Sequence, residues 1–227
     1  MATTIENLIN RIQKEAQAAE FPLDIPVYES AKKEPTKPIL YFGNLKSNIC
    51  FLGRDLGREE VIAGEPLIGA SGTLVRQGFY RAIYKKETED KAKLQLIKER
   101  LILTNTVPYK PPENKAYGVK VKKRFRPFIE EFLVIHWQGN QIITLGTEAF
   151  RWFEFYSTKE EFNTFWEQGD RRYQQSLNIT MTAVDEEDKT HEKKVSIFPL
   201  PHPSPLNQKY YNRFTAMLQY TLSQIEF

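Results

Sequence analysis

A short apolar run that ends in a glycine-rich, acidic loop and then turns helical constrains this chain more than any other stretch. Ile49–Leu52 is brief and closed by Gly53, so it reads as a buried strand. Gly53, Gly57, Gly64, Gly69 and Gly72 follow, with Asp55, Glu59 and Glu60 among them. From there Leu74, Val75, Gly78, Phe79 and Ile83 recur near a 3.6-residue period, which predicts a helix over about 73–84. In an open α/β sheet the edge past the carboxyl ends of the strands is where ligands bind, and this loop lies at such an edge.

The remaining chain can be read around that loop. Thr3 or Thr4 suits the cap of a first helix with Ile5, Leu8, Ile9 and Ile12 on one face. Residues 21–38, broken by Pro22, Pro26, Pro35 and Pro38, are expected to be an extended arm, so that 1–47 is an N-terminal helix and arm. Ile39–Phe42 reads as a short strand and Lys85–Arg100 as a solvated helix touching the body through Leu94 and Ile97. Leu101–Val107 is a second apolar strand running into Pro108–Asn114, which neither helix nor central strand accommodates. A helix is expected over about 126–137, with Phe128, Phe132 and Ile135 inward. Gln141–Gly146 is a third strand before a helix capped at Thr147. Residues 151–194 form an insertion of unassigned structure, with Asp185–Asp188 at a hairpin tip or loop. Val195–Phe198 is a last strand ending in a proline-rich loop, and Gln208–Ile225 a closing helix. Alternating strand and helix predict a single three-layer α/β/α domain over 1–227, with a mostly parallel central sheet of about four strands.

Composition removes several classes of function. The chain has 227 residues, enough for one sizeable α/β core. A net charge of +3 means that any nucleic-acid surface must be local rather than global. Cys50 is the single cysteine, which excludes an internal disulfide and a four-cysteine metal or iron–sulfur site. His136, His191 and His202 lack metal-ligand spacing, so no zinc site is expected. With no apolar signal core and no run of membrane-spanning length, a cytoplasmic protein without membrane contact is expected. Gly-Arg-Asp-Leu-Gly lacks dinucleotide spacing, and neither a P-loop nor a Gly-x-Ser-x-Gly elbow occurs.

Three strand ends carry polar residues: Asp55, Asn105 and His202. Singly, each has a bland explanation as a turn former, a helix or loop cap, and an anchor for the last helix. Together at one sheet edge they suggest a site. Lys115, Lys120, Lys122, Lys123, Arg124 and Arg126, interleaved with Tyr117 and Phe125, are the one dense basic run. It reads equally as a solvated helix face or as a surface for a phosphate backbone.

Gly53-Arg-Asp-Leu-Gly57 followed by Gly64-Glu-Pro-Leu-Ile-Gly-Ala-Ser-Gly72 resembles the first motif of the uracil-DNA glycosylase superfamily. Thr104-Asn105 with Lys110–Lys115, and Leu145-Gly-Thr-Glu-Ala149, are similar to segments of its fourth-family, bacterial and archaeal branch. His202-Pro-Ser-Pro-Leu206 is similar to the last motif of the first family. The resemblance covers roughly 48–222 and implies a monofunctional hydrolase that releases uracil or a related damaged base from DNA in base excision repair, working as a monomer without metal or cofactor. It implies Asp55 and His202 as catalytic residues, and Gly53, Arg54, Leu67 and Asn105 as base-binding residues. Ser71, Ser204, Lys115, Lys122, Lys123 and Arg124 fall to DNA contact, and Leu206 to the wedge that fills the gap left by a flipped base. Three departures stand out: the fourth family's four cluster cysteines are absent, Leu67 replaces its stacking aromatic, and Arg54-Asp55 replaces its Glu-Ala. A catalytically altered relative that binds DNA or a nucleotide is the alternative.

Overall fold

The computed structural model describes residues 4–225. Among the described residues six strands form one sheet: β1 (Tyr41–Gly43), β2 (Ile49–Gly53), β3 (Leu101–Asn105), β4 (Gln141–Leu145), β5 (Leu177–Val184) and β6 (Thr190–Leu200). Their spatial order is β1-β3-β2-β4-β6-β5. The inner pairings β3–β2, β2–β4 and β4–β6 are parallel, whereas β1 on β3 and β5 on β6 are antiparallel. The expectation of about four mostly parallel strands is thereby corrected to six in a mixed sheet. The cause is legible in β5. Ile179, Met181 and Ala183 are buried, while Asn178, Thr180, Thr182 and Val184 are exposed. An edge strand covered on one face alternates in this way and lacks the apolar run of a strand buried on both.

Helices α1 (Ile5–Ala18) and α2 (Ile25–Ser30) precede β1, and α3 (Arg58–Ala63), α4 (Ala70–Tyr84) and α5 (Lys91–Leu94) lie between β2 and β3. Then come α6 (Val119–Glu131) before β4, α7 (Thr147–Arg151) and α8 (Lys159–Trp166) before β5, and α9 (Gln208–Tyr211) and α10 (Phe214–Ser223) at the end. Thr4 caps α1 by accepting from the Asn7 amide at 3.2 Å; Thr3 lies outside the described residues. The arm is not wholly extended, because Pro26 sits in the first turn of α2, where a missing N–H costs nothing. The α7 cap is Gly146 rather than Thr147. Helix α6 starts earlier than anticipated, at Val119, so the basic run from Lys120 to Arg126 is itself helical, with Lys115 before it. The insertion resolves into α8, short 3-10 turns and the β5–β6 hairpin, with the acidic residues at its tip.

Strand periodicity sorts the core into two layers. Cys50, Leu52, Ile102, Ile142 and Ile197 face α1 and α6. Ile49, Phe51, Leu101, Leu103, Ile143 and Leu200 face Val75 and Phe79 of α4 and Phe214, Leu218 and Leu222 of α10. Every residue of β2 and β3 is buried, and each large apolar side chain so placed contributes roughly 1.5–3 kcal/mol. The chain leaves β2 for β3 on one flank and later takes β4 on the other, so a topological switch point opens at their carboxyl ends.

Candidate active site

Gly53 ends β2 in register with Asn105, the last residue of β3. Gly146 follows β4, and His202 follows β6 after one proline. All four line one pocket of about 480 Å³, together with Arg54, Asp55, Leu67, Ser71, Asn114, Glu148 and Ser204. The switch-point geometry thus gathers Asp55, Asn105 and His202 around a common volume.

Asn105 lies on the floor. It is 1% exposed, yet among the described residues neither its Oδ1 nor its Nδ2 has a partner. A buried carboxamide with both ends unpaired forfeits hydrogen bonds worth about 1–3 kcal/mol each, so a complementary ligand would gain them. Gly53 makes room for it: a Cβ there would fall 2.3 Å from Asn105 Oδ1 and 3.1 Å from a Leu67 methyl.

Asp55 is held beside this floor by stitching between two loops. Thr106 donates its amide to the Gly53 and Arg54 carbonyls at 3.0 Å and its hydroxyl to the Arg54 carbonyl at 2.5 Å. The Asp55 side chain is 1% exposed, and Arg54 Nε approaches Oδ2 at 2.9 Å. That contact is off-line, and among the described residues neither carboxylate oxygen has a well-aligned donor. Burial raises the Asp55 pKa above the usual carboxylate value, and the charges of Arg54 and Lys122 offset part of the rise.

His202 is exposed at the mouth. Its carbonyl accepts from the Ser204 amide at 2.9 Å and from Asn207 Nδ2 at 3.1 Å, which folds the proline-rich loop back on itself. Gly146, at φ +93°, packs against it, and a Cβ there would stand 3.1 Å from the His202 Cβ. The protein around the ring, and secondarily the charge of Arg54, lower the His202 pKa, which favours neutral imidazole near pH 7.

Leu67 enters the pocket from a backbone at φ +51°, a conformation costly for a side chain with a Cβ. Two residues that the sequence reading missed maintain it. Buried Arg76 donates from Nε to the Leu67 carbonyl at 3.0 Å and from Nη2 to the Pro66 carbonyl at 3.2 Å. Its guanidinium also stacks 4.5 Å from the Phe42 ring centre. Glu60 Oε1 accepts from the amides of Ile68 and Gly69 at 3.2 and 3.0 Å. The available signals were an arginine inside an otherwise apolar helix stripe and an acid in the glycine loop.

The residues assigned to DNA contact divide. Leu206 is 93% exposed at the tip of its loop. Ser204 Oγ accepts from the Leu206 amide at 3.3 Å, and Ser71 donates to the Pro203 carbonyl at 2.7 Å, joining the two motif loops. Lys115 pairs with Glu113 and Lys122 with Glu148, each at 2.5 Å, while Lys123 is exposed. Arg124 turns inward: it bonds Glu15 and the Ala19 carbonyl and packs on Phe21 and Phe125, fastening α1 to α6. Among the described residues no group of three His, Cys, Asp or Glu side chains could hold a metal ion, and no helix is long and apolar enough to cross a membrane.

Comparison with known proteins agrees with this architecture. Residues 40–225 match the family model of the uracil DNA glycosylase superfamily. Over 83 residues the chain is 34% identical to the type-4 uracil-DNA glycosylase of Archaeoglobus fulgidus, a match spanning 37% of this chain and 36% of that relative.

Proposed function

The chain belongs to the uracil DNA glycosylase superfamily, and from that premise we propose that it is a monofunctional DNA glycosylase releasing uracil or a related damaged base. The observation that carries this reading is Asn105, a fully buried carboxamide unpaired at both ends on a pocket floor shared with Asp55 and His202. A carboxamide offers a donor and an acceptor side by side, the complement of uracil's O4 carbonyl and N3–H. A base reaches such a floor only by leaving the helix.

In the reaction, water forms a bond to the sugar C1′ while the bond from C1′ to the base N1 breaks and its electron pair leaves with the base. Charge then develops in two places. Neutral His202, donating a hydrogen bond, stabilises the negative charge on O2 of the departing base. The Asp55 carboxylate orients the water and offsets the positive charge on the sugar. The water's proton ends on the released base, and the abasic sugar keeps the hydroxyl. In this reading Leu206 fills the space left in the stack, and Lys115, Lys122, Lys123 and Ser204 serve the DNA backbone.

The test is base release from an oligonucleotide containing one uracil, with alkaline cleavage of the abasic product, for wild type and Asp55→Asn. Release by wild type that falls by orders of magnitude in the variant is the expected result; full activity in both Asp55→Asn and His202→Ala would sink the residue roles. Leu67 favours a second reading, since a leucine offers a base no π-face. Tight, salt-dependent DNA binding without base release would support a relative specialised for binding.

A further inference from the structure

Within this pocket Asp55 is a carboxylate buried to 1% exposure without an aligned hydrogen-bond donor. Lys122 contributes charge but is itself paired with Glu148 at 2.5 Å. The close cation is Arg54, whose Nε stands 2.9 Å from the carboxylate. Its guanidinium is anchored at the other end as well, with Nη2 donating to the Asn114 carbonyl at 3.1 Å. Its backbone is fixed by Thr106. A surface arginine pays entropy to hold one geometry; this one is clamped by both its main chain and its side chain, at the wall of the pocket that also contains His202.

We propose that Arg54 is a positioning residue of this pocket: a counter-ion, held at both its main chain and its guanidinium, that orients the Asp55 carboxylate. The proposal rests on the glycosylase reading and deepens it. Asp55 is faced by Arg54, Lys122 and Tyr117, and of the opposing influences on its burial Arg54 is the largest. The same guanidinium is the charged group acting on His202. The one cation therefore opposes the burial that disfavours ionised Asp55 and adds to the burial that favours a neutral His202 ring. Lysine could supply the charge but not the fork that spans Asp55 and Asn114.

The experiment is an NMR titration of the Asp55 carboxyl carbon and the His202 ring in the full chain, comparing wild type, Arg54→Gln and Arg54→Lys. Steady-state kinetics on the uracil oligonucleotide and a thermal melt accompany it. In Arg54→Gln both midpoints move to higher pH and kcat falls by about tenfold, while KM stays within about twofold. Arg54→Lys recovers part of the midpoint shift with an intermediate kcat. Unmoved midpoints in a folded Gln variant overturn the proposal. If that variant does not fold, the Lys variant decides: an Asp55 titration and kcat both identical to wild type overturn it, and altered ones support it. Wild type that releases no base would defeat the glycosylase reading, and the two midpoints would still judge Arg54.

Discussion

The backbone of Leu67 occupies the space that a side chain on Gly72 would need: a Cβ on residue 72 would lie 1.9 Å from the Leu67 carbonyl oxygen and 2.0 Å from its carbon. Both partners in that contact are main chain, so neither can rotate away. The left-handed turn at Leu67 and the first turn of α4 are therefore one interlocked unit.

Gly72→Ala must displace the Leu67 turn, and with it one wall of the pocket. Overpacking of this kind costs about 1–3 kcal/mol, whereas a displacement near 1 Å at a reacting site costs about 10²-fold in rate. The expected outcome is a folded protein with a modestly lower melting temperature and a kcat/KM for base release down by about 10²-fold. Unchanged activity would show that the position of Leu67 is not part of the reaction geometry.

Leu206 yields the opposite pattern. With 93% of its surface exposed it contributes nothing to packing, so Leu206→Ala leaves stability within about 0.5 kcal/mol of wild type. A wedge matters when a stack must be opened, so the variant loses activity on duplex DNA more than on single strands. Rates on the two substrates, measured side by side, check this; an equal loss on both would remove the wedge role.

The sheet edge was legible because glycine and proline punctuate it. Gly53, Gly146 and the Pro201–Pro205 loop mark where strands stop, and Asp55, Asn105 and His202 sit at those stops. The parallel middle was legible too, since strands buried on both faces are continuous apolar runs. Edge strand β5 was not, because its alternation of Asn178, Thr180 and Thr182 with Ile179 and Met181 resembles a polar loop in composition. Nor could the basic run be divided from sequence. Whether Arg124 faces solvent or Glu15 is decided by a helix more than a hundred residues away, and residue type carries no trace of that pairing. Arg76 and Glu60 act through backbone groups, contacts that no local pattern announces.

The N-terminal arm reaches the site through a buried ion pair. Lys110 Nζ lies 2.7 Å from Asp24 Oδ2, with the lysine side chain 2% exposed, and the Lys110 amide donates to the Tyr28 hydroxyl at 3.0 Å. Removing one partner leaves an uncompensated buried charge, so Asp24→Ala destabilises by about 3 kcal/mol. The loss extends to function, because the same loop carries the Asn114 carbonyl that anchors Arg54. Chemical denaturation together with base release reads both effects. A stability change below about 1 kcal/mol would mean that Lys110 finds another partner.

Asp55 itself sets a conflict between stability and activity that pH exposes. Its folded-state pKa is raised above the unfolded value, chiefly by burial. The folded chain therefore binds the proton more tightly, and stability falls as pH rises from the unfolded pKa through the folded one, then levels off. Above that window the buried carboxylate is a standing cost. Asp55→Asn removes the charge at nearly the same volume, so it is expected to be more stable than wild type at neutral pH, with the advantage shrinking toward acid. Activity has the reverse sign: base release by wild type is lost as pH falls through the raised Asp55 pKa, and Asp55→Asn is impaired throughout. Denaturation midpoints of the two proteins across pH 3–8 check the argument, and an Asn variant less stable than wild type at neutral pH would mean that the Arg54 contact more than offsets burial.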